Sequence, residues 1–221
     1  MISVPSEGKP ESEIIVPTFE NTLPYEFEDI KLQYDPTGNL KAGTGATVWD
    51  SSFVLLKYLE SQFKKGLTKD NLSIIELGAG TGLVGLSLGT MLPNAQITLT
   101  DQASVVPLLK FNAENAKLSN VRVEILDWKQ PPLLEQYDMI IMSDLITWPE
   151  LYTPLVNTID LLSNEETLIV FSHECRSFEK EQKFYQKLSK KFRFKNVDEN
   201  EQDPVYRSDD LYLFTAKKKC E

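Results

Sequence analysis

Apolar residues along this chain fall into short uninterrupted runs that alternate with longer stretches of helical spacing. Runs at 73–77 (SIIEL), 96–100 (QITLT), 121–126 (VRVEIL), 137–142 (YDMIIM) and 167–172 (TLIVFS) have the length and composition of strands. Between them, 82–92, 103–118, 150–162 and 178–192 carry apolar positions three and four apart, as in the Val106, Leu109, Ala113 and Ala116 face, which predicts helices. Two further strands are expected at 194–197 and 210–216. Upstream, 25–34 (YEFEDIKLQY) alternates as one strand, and PTGNLKAGTGATV reads as a loop. Trp49, Phe53, Leu56, Leu59 and Phe63 then mark an amphipathic helix over 49–63.

Strands that are apolar throughout are buried on both faces. Alternation of such strands with helices predicts an α/β fold with a parallel sheet sandwiched between helical layers. The polar stretch 1–13 reads as a loose tail, so the expected division is an N-terminal extension at 1–24 and one domain at 25–221.

Composition narrows the function. The chain has 221 residues, 23 Lys plus Arg against 33 Asp plus Glu, and a net charge of −10. Such a surface repels phosphate backbones, which argues against broad nucleic-acid binding. With one histidine, His173, multi-His metal sites are ruled out, and no metal is expected. The two cysteines, Cys175 and Cys220, form no CxxC motif and suit a reducing compartment. No basic-then-apolar leader or 18-residue apolar stretch occurs. The expectation is a cytoplasmic protein, also compatible with the nucleus, with no membrane partner and a monomeric state.

The chemistry centres on ELGAGTG, which lies between a strand and a helix. Gly78, Gly80 and Gly82 allow a sharp turn and close backbone approach to a ligand, while the following helix directs free N–H groups at the same space. The dinucleotide pattern would need glycine at 83, where Leu83 stands, and no Gly-Lys-Ser/Thr follows. Glu76 precedes the loop and suits a cationic ligand rather than a pyrophosphate; it can accept from an amine or hold the loop. The pattern E-x-G-x-G-x-G resembles motif I of class I S-adenosylmethionine-dependent methyltransferases. Asp101 ends the second strand of this unit, where a carboxylate accepts ribose hydroxyls. Asp127 and Trp128 end the third, beside the expected adenine. Ser143 and Asp144 end the fourth, across the crevice from Gly78.

Taken together, TGATVWDSSFVLLKYLE, IIELGAGTGLVGLSLG, LTD, LDW and SDL resemble the family-16 seven-stranded protein lysine methyltransferases. VWDSSFVLLKYLE and YRSDDLYLF…KKK are most similar to the valosin-containing-protein lysine methyltransferase branch. The resemblance implies a Rossmann-like, mostly parallel seven-stranded sheet and S-adenosylmethionine as cofactor. It implies cofactor contacts from Trp49, Gly78, Ala79 and Gly80, from Asp101 at the ribose, Trp128 at the adenine and Ser143 at the sulfonium side. An acidic-x-x-aromatic motif of that family falls on Asp144, but its aromatic position is Thr147, with Trp148 one residue later. Asp144 and Trp148 are therefore the expected acceptor-side residues. The implied partner is a protein carrying a target lysine, with an AAA ATPase, an elongation factor or a chaperone as classes. A small-molecule N-methyltransferase and a cofactor-binding scaffold without activity are the alternatives. His173 is expected to be a packing residue, and Arg176 and Arg207 solvated charges.

Overall fold

The computed structural model describes residues 23–27, 30–35, 40–67, 71–131 and 135–220. The expected tail at 1–13 lies outside them. In chain order the elements are β1 (Leu23–Phe27), β2 (Ile30–Tyr34), α1 (Asp50–Lys64), β3 (Ser73–Leu77), α2 (Leu83–Met91), β4 (Gln96–Asp101), α3 (Val106–Ala116), β5 (Val121–Ile125), β6 (Met139–Ser143), α4 (Tyr152–Leu162), β7 (Leu168–Glu174), α5 (Phe178–Lys191), β8 (Phe192–Asn196) and β9 (Leu211–Lys218).

A seven-stranded sheet runs β5-β4-β3-β6-β7-β9-β8. The pairs from β5 through to β7 are parallel, and β9 is antiparallel to both its neighbours. Strand order reverses between β3 and β6, so a crevice opens there at the carboxyl ends of the strands.

Each central strand feeds two cores by its period of two. Ile74, Met139 and Ile141 join α1 and α2 on one face, while Ile75, Leu77, Ile140 and Met142 join α4 and α5 on the other. Among the described residues no helix is long and apolar enough to cross a membrane.

Two sequence expectations change. The single strand at 25–34 is an antiparallel hairpin, β1 with β2, in which Phe27 pairs with Ile30. That hairpin covers the outside of α1: Phe27 lies 5.0 Å from Phe53, and Lys57 sits 5.0 Å above the Phe27 ring. The helix is therefore buried on most of its circumference, from Ser51 through Leu59, rather than along one stripe. Asn112 of α3 ties the hairpin down, donating to the Gln33 carbonyl at 3.0 Å and accepting from its N–H at 2.8 Å.

Candidate active site

β3 ends in a loop whose three glycines have positive φ: +60° at Gly78, +57° at Gly80 and +90° at Gly82. L side chains avoid this region. At Gly80 space is also short, because a Cβ there would lie 3.0 Å from the Gly45 carbonyl oxygen. The loop is stitched to the end of β4. Ala79 N–H donates to the Thr100 carbonyl at 2.9 Å, and Gly80 N–H donates to Asp101 Oδ2 at 2.9 Å. Asp101 Oδ1 accepts from Gln102 N–H at 2.7 Å. Burial nonetheless pushes the Asp101 carboxyl up to about 6.

A cavity of about 600 Å³ opens above this loop, at the carboxyl ends of β3, β4, β5 and β6, within the range of sites for small ligands. Trp49, Gly78, Ala79, Gly80, Asp101, Asp127, Trp128, Ser143, Asp144 and Trp148 all line it. Residues drawn from six segments of sequence thus share one wall.

Glu76 and Gly82 were expected at the ligand and do not line the cavity. Of the two roles open to Glu76, the structure shows the second. Its side chain is 1% exposed beneath the loop, and Oε2 accepts from Gly85 N–H at 2.9 Å. Gly82 caps α2 without a side-chain hydrogen bond, so Glu76 satisfies an N–H of the first turn from outside the helix. Burial pushes the Glu76 carboxyl up to about 8. A Cβ at Gly82 would meet Leu109 and Leu86, which places that position on the core side.

Trp49 precedes α1, and its indole Nε1–H donates to the Thr44 carbonyl at 3.1 Å. Ser143 shares a hydrogen bond of 3.1 Å with Ser52 from α1. Asp127 accepts from Lys129 N–H at 2.9 Å, while Trp128 packs partly into the α4 and α5 core.

The acceptor side differs most from expectation. Asp144 has φ +57°, a backbone region that Asp tolerates better than most residues. Its N–H donates to the Ser172 carbonyl at 2.9 Å, and its side chain is only 6% exposed. Arg176, expected as a solvated charge, holds that carboxylate with both arms: Nη1 to Oδ1 and Nη2 to Oδ2, each 2.7 Å. Nη2 also reaches Glu174 Oε2 at 2.7 Å, and the guanidinium carbon lies 5.3 Å from the Trp49 ring centroid. Arg176 follows the end of β7 by two residues, so the strand-end rule that singled out Asp144 also pointed to it. Ser52, Thr44 and Gly45 line the cavity as well, from segments read only as helix and loop. Thr147, in the aromatic position, donates from Oγ1 to the Asp144 carbonyl at 3.4 Å. Trp148 is 50% exposed at the rim.

His173 is a packing residue. It is 1% exposed, its Nε2 lies 3.2 Å from Glu181 Oε2 and 3.0 Å from Tyr185 Oη, and its ring stacks on Tyr212. Burial lowers its affinity for a proton, against the pull of Glu181. Arg207 is at the surface, donating to the Glu199 carbonyl at 3.0 Å.

The residues of the cavity fit S-adenosylmethionine: a backbone cradle that a Cβ would fill, a carboxylate at ribose position and indoles at two ends. Solved structures share this frame. A S-adenosylmethionine-dependent methyltransferase from Aquifex aeolicus superposes with TM-score 0.57 at 18% identity, over 75% of this chain and 92% of that one. The DhpI complex with S-adenosylhomocysteine superposes with TM-score 0.53 at 13% identity, over 75% and 84%. At such identities the likeness speaks for the fold. Sequence relatives carry more. Protein N-lysine methyltransferase METTL21A of Xenopus tropicalis is 33% identical over 173 residues, 75% of this chain and 78% of that protein. Protein-lysine methyltransferase METTL21E of Mus musculus is 30% identical over 217 residues, 92% and 84%. EEF1A lysine methyltransferase 3 of Xenopus tropicalis is 27% identical over 77% of this chain and 76% of that protein. A family model described as lysine methyltransferase matches residues 28–191, a stretch holding every cavity residue named above. On that span and those identities, the chain belongs to the lysine methyltransferase family.

Proposed function

We propose that this protein methylates the side-chain amine of a lysine in a specific protein partner, with S-adenosylmethionine as donor. One observation carries the reading. A single cavity runs from the glycine loop and Asp101 to Asp144 and Trp148, so donor and acceptor share one enclosure. S-adenosylmethionine supplies a methyl on a sulfonium; the amine lone pair forms the new N–C bond as the C–S pair returns to sulfur.

The protein's own work is alignment, which supplies much of the rate in such a displacement. The backbone of Gly78, Ala79 and Gly80 holds the amino-acid end of the donor. Asp101, already oriented by Gly80 and Gln102, accepts from the ribose hydroxyls. Asp127 and Trp128 flank the adenine. Ser143 and Trp49 border the reacting centre, and Trp49 and Trp148 offer aromatic faces that attract an ammonium or methylammonium group. Asp144 sits at the end of the cavity where the amine arrives and orients it.

The partner's surface is basic on this reading. Net charge is −10, and two exposed acids lie at the cavity, Asp127 in its lining and Glu174 bonded to the lining Arg176. An AAA ATPase, an elongation factor and a chaperone in the cytoplasm or nucleus are the proposed classes, and the likeness to EEF1A lysine methyltransferase 3 favours testing an elongation factor early.

The test is methyl transfer from labelled S-adenosylmethionine into a lysate lacking this protein, with purified protein added back. One labelled band, absent with Asp144→Ala, supports the reading and lets mass spectrometry find the lysine. Label confined to small molecules supports a metabolite N-methyltransferase, and no label with intact cofactor binding supports a scaffold.

A further inference from the structure

The acceptor end of the cavity contains a cation of its own. Arg176 occupies both oxygens of Asp144 at 2.7 Å, one oxygen of Glu174 at 2.7 Å, and the face of Trp49 at 5.3 Å. Glu174 N–H adds a longer bond of 3.3 Å to Asp144 Oδ1. The fork geometry is the strong form of a charge-assisted pair, and stacking on an indole uses the remaining face of the guanidinium. The Arg176 side chain is 37% exposed and Asp144 only 6%, so the arginine covers the carboxylate from the solvent side.

This arrangement bears on how a lysine reaches the site. An amine attacks the sulfonium carbon only as the free base, and an unperturbed lysine is protonated at neutral pH. A bare buried carboxylate would bind the ammonium tightly and hold its proton, which opposes the reaction. A carboxylate already neutralised by arginine does not.

We propose that Arg176 is a positioning residue that masks Asp144 and braces Trp49, so that an arriving lysine meets a carboxylate whose two oxygens are already paired and enters as free amine. The ammonium releases its proton to water at the cavity mouth. The amine lone pair then forms the N–C bond as the C–S bond breaks, with both of its electrons going to sulfur. Through Trp49 the same guanidinium fixes the indole that borders the reacting centre, so one side chain couples both halves. This inference rests on the lysine-methylation reading above.

The other charged groups around the pair are few. Glu174 on β7 shares the arginine. Behind it lie His173 and Glu181, buried against each other, with Cys175 beside them and Asp210 beyond. Asp127 and Lys129 line the same cavity, as does Asp101 beside the glycine loop. Each remains unchanged in sequence in the variants below, so differences from wild type report the contacts Arg176 makes with Asp144 and Glu174.

The experiment uses the full chain with Arg176→Gln and Arg176→Lys. The acceptor probe is n-butylammonium, a lysine side-chain mimic, titrated at pH 7 in the presence of S-adenosylhomocysteine and followed by NMR; n-butanol is the uncharged control. Arg176→Gln is expected to bind n-butylammonium about tenfold more tightly than wild type, or about 1.4 kcal/mol, with n-butanol unchanged. Arg176→Lys keeps the charge without the fork and is expected between the two. Affinity for S-adenosylhomocysteine is expected to fall several-fold in both variants as Trp49 loses its brace. In the lysate assay, the acid limb of the rate against pH moves up by about one unit in Arg176→Gln, since the acceptor lysine then keeps its proton longer. Unchanged n-butylammonium binding in both variants, or superimposable pH profiles, overturns the inference. If wild type labels no protein while n-butylammonium binding still rises in Arg176→Gln, the methylation reading fails and the masking of Asp144 stands.

Discussion

Replacing Glu76 by glutamine separates the two things this residue does. The carboxyl is enclosed beneath the glycine loop, and its Oε2 accepts from Gly85 N–H at 2.9 Å. A Cβ on residue 85 would lie 2.5 Å from that oxygen and 2.1 Å from Leu99 Cδ2, so helix and carboxyl are in close contact. Burial, reinforced by the nearby Asp101 charge, raises the carboxyl from 4.5 to about 8. That shift corresponds to on the order of 5 kcal/mol between protonated and ionised forms. The sign follows from linkage. A carboxyl raised in the folded state contributes stability that is fully present below pH 4.5 and lost as pH rises through about 8. Glutamine keeps an uncharged acceptor for Gly85 N–H and cannot ionise. Urea unfolding of both proteins from pH 5 to pH 9 measures the difference. Near pH 5 the two are expected to agree within about 1 kcal/mol. By pH 9 the variant is expected to be the more stable by several kcal/mol. Asp101, raised to about 6, moves the wild-type curve in the same direction, whereas Asp160 and Glu181, lowered from 3.8 and 4.5, contribute nearly constantly above pH 5. These remain in both proteins, so the difference curve reports Glu76 together with its coupling to Asp101. A difference that stays constant across this range refutes the argument that Glu76 is buried and protonated at neutral pH.

Gly80→Leu is expected to abolish S-adenosylhomocysteine binding by calorimetry while circular dichroism stays native, because its Cβ would press on the Gly45 carbonyl at the cavity wall. Retained binding contradicts the placement of the donor. Phe184→Ala removes a fully buried ring packed against Tyr152, Phe171 and Tyr185 and should cost about 3–5 kcal/mol in denaturant unfolding. Trp148→Ala, at a half-exposed rim position, should change stability by less than about 0.5 kcal/mol. Labelling of the protein acceptor should fall in that variant while affinity for S-adenosylhomocysteine holds.

Much of the donor half was legible because it is local. Apolar runs located all seven strands of the main sheet within a few residues, and the stretch from Glu76 to Asp101 contains both the glycine loop and the carboxylate that anchors it. Local pattern failed where one element covers another. Phe53 reads as part of the apolar stripe of an amphipathic helix and Lys57 as its polar face, yet the β1–β2 hairpin packs over both, which no spacing within α1 reveals. The hairpin itself was merged into one strand because no Gly or Asn marks its turn. The choice between the two roles of Glu76 stays open in the sequence for a related reason. Its neighbour in sequence is the ligand loop, but the alternation of β3 turns it to the α2 face with Ile74.

The acceptor half is assembled from distant segments, and that explains both its illegibility and its use. Ser52 comes from α1, Asp144 from the end of β6 and Arg176 from beyond β7. None of them is marked by a motif that identifies its partner. Thr147 looked like a defect in the aromatic motif, yet aromatic surface is present at that end from Trp49 and Trp148, while the Thr147 hydroxyl bonds the Asp144 backbone. The donor loop is constrained by backbone conformation, so almost any side chain there is disruptive. The acceptor end depends more on side chains, with Asp144 at φ +57° as its one backbone constraint named above. On the proposed function, substitutions at 147, 148 and 176 are therefore expected to change which lysine is accepted while the glycine loop and Asp101 stay as they are.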